Sequence, residues 1–384
     1  MKFKLIIYSL LSFLTPNAMS QDINFSSKFN SVLNSGKYYN SKINIRSYSK
    51  GGNAQNFLLL GYYLNSNDIM FKSTGNISYL KNNEEVINAI KKSGLQVDEN
   101  VSKKEYKWQA KIKSGQSNYS MNNQEFMLYE GYILRYIAEY YFLLKKNQNK
   151  LNLVADVDFL RTNFFKWYDF SLSNYDDDSS LQSLRTHMGS HWATLAMYLY
   201  LLDNNEKNKT IYKSVYTRFS NSLAKNLKLV DMQNEKGYVW NSTWDTPFTN
   251  YLVDKRKLRK ERSEIQDVSH GNHIVQFIID SYELGLNSWT LKDIQYFSNT
   301  LKLKIWNASS LTFSDNVDGS PLIGKYKGSG WKQSDGWMKL MMYDQDLYPI
   351  YKRFYLKNAR IIDGSSLNLQ FYSNFVEFET KYRK

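Results

Sequence analysis

No cysteine occurs in the 384-residue chain, which excludes disulfide staples, thiolate nucleophiles, Cys-ligated zinc and an acylated-cysteine lipid anchor. Proline is nearly as scarce, with Pro247, Pro321 and Pro349 alone beyond the first 20 residues. Few helix stops are therefore imposed from outside the hydrophobic pattern. Beyond those 20 residues, no run approaches the roughly 18 uninterrupted apolar residues that a membrane helix requires. Histidine is rare too, and all four fall in two short segments: His187 and His191 in LRTHMGSHWA, His270 and His273 in QDVSHGNHIV. An imidazole trades a proton near neutral pH or ligates a metal, so this confinement points to one shared site.

At the amino end, Lys2 and Lys4 precede an apolar stretch over residues 5–14, too short to span a bilayer, and Ala18-Met19-Ser20 supplies small residues for cleavage. The pattern predicts a signal peptide over residues 1–20 and a periplasmic or secreted product. The formal charge is +14, and without Lys2 and Lys4 about +12. Such a surface attracts polyanions at long range. Export favours an acidic polysaccharide over nucleic acid, and 31 Tyr with nine Trp suit the stacking faces that sugar rings use. No nucleic-acid partner and no membrane span are expected.

Residues 21–120 are rich in Asn, Ser and Lys, with modest helix signals at 55–64 and 83–92. They read as an irregular layer of the same domain. From 121 to 384 two kinds of helical run alternate. Residues 125–145, 184–202, 267–284 and 333–342 turn apolar almost all round, whereas 153–172, 206–227, 291–306 and 346–357 are amphipathic. The alternation predicts an all-α chain folded as an incomplete (α/α) toroid, with inner helices running one way and their amino ends around one mouth. LRTHMGSH, QDVSHGNH, GSGWKQSDGW and MNNQEFMLYEGY would then meet there.

The segments GSHWATLAMYLYLL, NNEKNKTIYKSVYTRF and HGNHIVQFIIDSYEL resemble the paired helices of the alginate lyases in the chondroitin/alginate lyase-type toroid superfamily, over about residues 185–284. In that resemblance Trp192 matches the family's tryptophan, His191 stands where the family has tyrosine, and Gly189 falls in the histidine slot unless His187 fills it. His273 stands where the family has its catalytic tyrosine, and Arg256, Arg259 or Arg262 answers to its arginine. The resemblance implies β-elimination from a uronate-containing polysaccharide.

Elimination needs a group to neutralise the C6 carboxylate, a base for the C5 proton and an acid for the leaving oxygen. Asn272 and Arg185 are candidates for the first role and His191 or His270 for the second. His273 or a mouth tyrosine, Tyr129 or Tyr251, is a candidate for the third, with His187 beside them. The basic run KRKLRKER, residues 255–262 and including Arg262, is read either as a track for further carboxylates or as a solvated loop. Trp240, Trp244, Trp331 and Trp337 are candidate stacking residues. No cofactor is required, but His187, His191, Asp267, His270 and His273 have spacings that suit a divalent metal. The runner-up is a glycoside hydrolase using paired carboxylates among Glu130, Asp267 and Asp335. A non-catalytic anionic-glycan-binding protein is the remaining alternative.

Overall fold

A computed structural model describes residues 23–98, 103–116, 119–147, 153–244, 264–322 and 327–383. Residues 1–20, Tyr251 and the run 255–262, with Arg256, Arg259 and Arg262, lie outside the described residues. The described chain is mostly helical. The residues read as an irregular, partly helical layer hold four helices, α1 (Phe25–Asn34), α2 (Ile45–Lys50), α3 (Phe57–Thr74) and α4 (Ser78–Gly94), of which α3 and α4 extend the signals at 55–64 and 83–92.

Helix α3 runs past the signal at 55–64 through Asn65-Ser66-Asn67-Asp68, which are fully buried mid-helix. Their polar groups are partly paired inside the protein, whereas Asn65 Nδ2, Asn67 Oδ1 and Asp68 Oδ2 have no hydrogen-bond partner among the described residues. Asn67 Nδ2 donates to Asn83 Oδ1 at 3.0 Å, and Asn83 Nδ2 donates to Asp68 Oδ1 and to the Leu64 carbonyl, each at 2.9 Å. A buried amide bonded in this way costs far less than an unpaired one, so α3 and α4 pack through a polar seam. Asparagine is also spent at helix starts, where Asn24, Asn44 and Asn205 each accept from the third backbone N–H beyond.

The later helices are α5 (Met127–Asn147), α6 (Val154–Tyr175), α7 (Ser179–Gln182), α8 (Thr186–Leu202), α9 (Glu206–Asn226), α10 (Val268–Glu283), α11 (Leu291–Thr300), α12 (Leu347–Asp363) and α13 (Asn368–Tyr382). Three short antiparallel hairpins interrupt them: β1 (Leu95–Asp98) with β2 (Lys103–Tyr106), β3 (Lys228–Met232) with β4 (Glu235–Val239), and β5 (Trp306–Asn307) with β6 (Thr312–Phe313). The run 333–342, expected as an inner helix, is instead a loop ending in a 3₁₀ turn, Met338–Met342. Its Gly336 and Trp337 N–H groups bond the Asn272 side-chain oxygen at 2.8 and 2.9 Å.

Neighbouring helices pack in the sequence α13, α3, α5, α8, α10, with α4 on α3, α9 on α8, α11 on α10, and α1 and α12 on α13. One pocket touches residues 58 and 62 of α3, 128 and 132 of α5, 187 and 191 of α8, and 269–273 of α10. A cavity of about 250 Å³ touches Lys72, Glu139, Tyr198 and Asp280, near the other ends of the same helices. These four helices therefore run in the same direction, amino ends together.

Close approach between α7 and α8 depends on Gly189, where a Cβ would lie 2.2 Å from the Gln182 carbonyl oxygen. The backbone there must move to admit any side chain. Gly189→Ala is expected to destabilise the protein by about 1–3 kcal/mol, read as a lower urea midpoint; an unchanged midpoint would mean that this contact is not tight.

Candidate active site

All four histidines line one pocket of about 280 Å³ together with Tyr62, Tyr132, Trp331 and Lys332. The rings form a continuous cluster: His187 lies 4.3 Å from His270, His191 lies 4.8 Å from His273, and Tyr132 lies 4.8 Å from His191 and 5.3 Å from His273, centroid to centroid. The helical spacing explains this. Residues 187 and 191 stand one above the other on α8, as 270 and 273 do on α10, and the two helices are packed neighbours.

The four rings differ in environment. His270 is the accessible one, its side chain 47% exposed against 7% for His273. Asp267, the residue that caps α10, accepts from the His270 backbone N–H at 3.0 Å and meets His270 Nδ1 at 2.8 Å. Burial alone would raise the Asp267 carboxyl, but the bonds from His270 and Ser269 outweigh it and hold it well below the usual carboxylate range. An ionised Asp267 keeps the proton of a neutral His270 on Nδ1. Nε2 is then the basic nitrogen.

His187 and His191 are buried, and His187 Nδ1 and both nitrogens of His191 have no hydrogen-bond partner. Burial pushes both rings well below the ordinary histidine value, aided by neighbouring His270 and His273 for His187 and by Arg135 and His273 for His191. His273 is likewise lowered by burial, against the attraction of Asp335. A fixed polar hub lies behind them. Asp335, with no exposed surface, accepts from Arg135 Nη2 at 2.8 Å, from the Tyr136 hydroxyl at 2.5 Å and from the Asn272 amide, while His273 Nδ1 lies 3.2 Å away. Burial would raise Asp335, but the His273 ring and the Arg135 guanidinium hold it well below the usual range. Because burial keeps His273 neutral, Arg135 is the lasting counter-charge.

Burial pushes the Tyr132 hydroxyl well up and Tyr62 up to about 12, so both are held as protonated phenols. The Tyr132 oxygen makes no hydrogen bond of good geometry, although it sits near enough to the Tyr62 and Tyr136 hydroxyls to influence their titration.

Several expected site residues serve elsewhere. Asn272 touches the pocket, but its amide is committed to Asp335, Gly336 and Trp337, so it positions and does not bind a carboxylate. Asp335 is a hub member with no exposure. Glu130 is buried between Lys166 and Trp167, at 2.7 and 2.9 Å, away from the pocket, and burial pushes it up to about 7 against the Lys166 charge. Arg185 precedes α8 and reaches toward Glu264 at 3.8 Å; it does not line the pocket. Trp192, Trp240, Trp244 and Trp337 are buried in the core, as is Tyr129. Only Trp331 among the candidate stacking residues faces the cavity. Among the described residues, no three His, Asp or Glu side chains are disposed to hold a metal ion, and Asp267 is turned onto His270.

Sequence reasoning did not single out Tyr62, Arg135 or Tyr136, and brought Tyr132 and Lys332 to the mouth only as members of MNNQEFMLYEGY and GSGWKQSDGW. Arg135 carried a signal: a guanidinium in the middle of a run buried on all sides demands a buried anion. Tyr62 lies within the helix signal at 55–64, but nothing in that pattern set it apart from its neighbours.

Folded His191 stays neutral while the unfolded chain takes up a proton below about pH 6.5. Its contribution to stability is fully present above that value and is lost as pH falls below it, by up to about 1.4 kcal/mol per unit. Glu130 at about 7 and Asp280 at about 6 pull the other way, because the folded state protonates first. Comparison with His191→Phe isolates the histidine: between pH 7.5 and 5.5 the parent should lose stability relative to the variant in urea unfolding. Parallel pH profiles would show that His191 is not held neutral.

Comparison with protein-family models, with curated proteins and with solved structures finds no match to this chain.

Proposed function

We propose that the chain is an exported lyase that cleaves an acidic, uronate-containing polysaccharide by β-elimination, on an α/α toroid whose mouth is the histidine pocket. The observation that carries this reading is chemical. One pocket at the amino ends of parallel helices gathers four imidazoles, two phenols, an indole and an ammonium group, and among the described residues no carboxylate lines it. Such a lining favours an anion and offers both proton acceptors and donors. The resemblance of the segments in 185–284 to the paired helices of the alginate lyases is in keeping with it.

In this reading Lys332 neutralises the C6 carboxylate, which makes the C5 hydrogen acidic. His270, its Nδ1 held by Asp267 at 2.8 Å, takes the C5 proton on Nε2. The electron pair left on C5 forms the C4–C5 double bond as the C4–O bond breaks. The Tyr132 phenol, kept protonated by its burial, gives its proton to the departing oxygen. His187 packs on His270, while His191 and His273 pack on Tyr132. No cofactor takes part. Hydrolysis would need two carboxylates facing the cavity, whereas Glu130 and Asp335 are paired with Lys166 and Arg135.

The test is absorbance of the unsaturated uronate in the near ultraviolet, with polyuronates of several compositions as substrates. His270→Ala should lower turnover by about 10²–10⁴-fold, and Tyr132→Phe should do likewise with substrate binding retained. The melting temperature of His270→Ala should barely move, because the ring is exposed. Chelator should leave the rate unchanged. New reducing ends without the chromophore would replace elimination by hydrolysis, and loss of activity with chelator would assign a metal to the histidines.

A further inference from the structure

Trp331 has two sides. Besides facing the histidine pocket, it walls a neighbouring cavity of about 430 Å³ lined by Phe313, Pro321, Lys327, Phe354 and Ile361. None of these five has a part in the proton transfers above.

This second cavity is built by the fold. The Asp315 carboxylate accepts from the backbone N–H groups of Gly328 and Gly330, each at 3.0 Å, and from Leu322 at 3.2 Å. Its charge is thereby spent on the backbone. Three anchors from one side chain hold Leu322, Gly328 and Gly330, the last two being the neighbours in sequence of Lys327 and Trp331. Gly330 is pressed against the Ser314 carbonyl oxygen, where a Cβ would lie 2.0 Å away. The floor is aromatic and rigid: the Phe313 ring lies 4.8 Å from Phe354 and 5.4 Å from Tyr351. Ile361, on α12, leaves 51% of its surface to solvent at the edge, although a folded chain of this size can bury such a side chain.

The chemistry of the lining selects the occupant. An apolar floor and an indole wall suit the C–H face of a pyranose ring. Lys327 lines this cavity and forms no ion pair with a carboxylate among the described residues, so one ammonium group stands ready for an acidic substituent, with Lys332 on the histidine-pocket side of Trp331. Continuity through Trp331 selects the source of the sugar: the adjoining unit of the chain held in the histidine pocket.

We infer that this cavity is a second saccharide subsite, and that the acidic polymer runs from the histidine pocket across Trp331 into it. The inference rests on the proposed polyuronate substrate but not on the bond-breaking step. Its consequence is a dependence of affinity on chain length set by residues remote from the histidines.

The experiment uses size-defined oligouronates from dimer to hexamer, titrated by calorimetry into the full chain bearing His270→Ala, so that cleavage does not intervene. Affinity should rise at least about tenfold from dimer to hexamer. Lys327→Ala and Ile361→Glu, both at exposed positions, should each remove most of that rise and leave dimer affinity unchanged. Equal affinity for dimer and hexamer, equal losses for both lengths, or no binding of any oligouronate would overturn the subsite. The ultraviolet assay on the unsubstituted chain separates the two claims. Length-dependent binding without the chromophore sinks the lyase reading and keeps the subsite; a chromophore with flat length dependence does the reverse.

Discussion

The buried pair of Arg135 and Asp335, 2.8 Å apart, is the interaction on which the site depends. It joins three segments distant in sequence: α5 through Arg135 and Tyr136, α10 through Asn272 and His273, and the loop 334–337 through Asp335 itself. Removing one partner of such a pair leaves an unpaired charge in the interior, at a cost of about 3–5 kcal/mol. The pair is therefore an intolerant fixture. Because Asn272 also receives the backbone of Gly336 and Trp337, the loop that brings Lys332 and Trp331 to the pocket is tied to the helix that brings His270 and His273. Geometry at the mouth is inherited from this hub.

Burial explains why four histidines can sit together without mutual repulsion. Away from water protonated rings are costly, so His187, His191 and His273 are held neutral, and Arg135 adds to this for His191 and His273. His270 is the exception in exposure, and its Nδ1 meets the Asp267 carboxylate at 2.8 Å, whereas the carboxylate near His273 Nδ1, Asp335, is shared with Arg135, Tyr136 and Asn272. One ring is thus arranged to handle a proton while three form a neutral, partly unsatisfied wall. Unpaired buried donors and acceptors of that kind are costly to keep unless a ligand completes them.

Much of the central chain was legible from its pattern. The runs read as 184–202, 206–227 and 267–284 are the helices Thr186–Leu202, Glu206–Asn226 and Val268–Glu283, because their apolar positions repeat at helical spacing and Asn205 and Asp267 mark two starts. The convergence of the histidines followed from the placement of those helices. What stayed hidden shares one physical cause. In α3 and α13 polar residues share the buried face with apolar ones: Gln370 Nε2 donates to Asn65 Oδ1 at 3.0 Å and Asn374 Nδ2 to the Ser334 carbonyl at 2.7 Å. Pattern reading assigns such residues to loops, so α13 and the part of α3 beyond the signal at 55–64 were missed. The tryptophans failed for the opposite reason, since at loop positions 240, 244 and 337 they point into the core.

The most direct test of the central claim is the crystal structure of His270→Ala protein with a uronate oligosaccharide bound. The account predicts a sugar in the histidine pocket against Trp331, its carboxylate about 3 Å from the Lys332 ammonium and C5 facing the space left by the imidazole. A sugar bound at another surface with the histidine pocket bare, or a metal ion held among the remaining histidines, would contradict it.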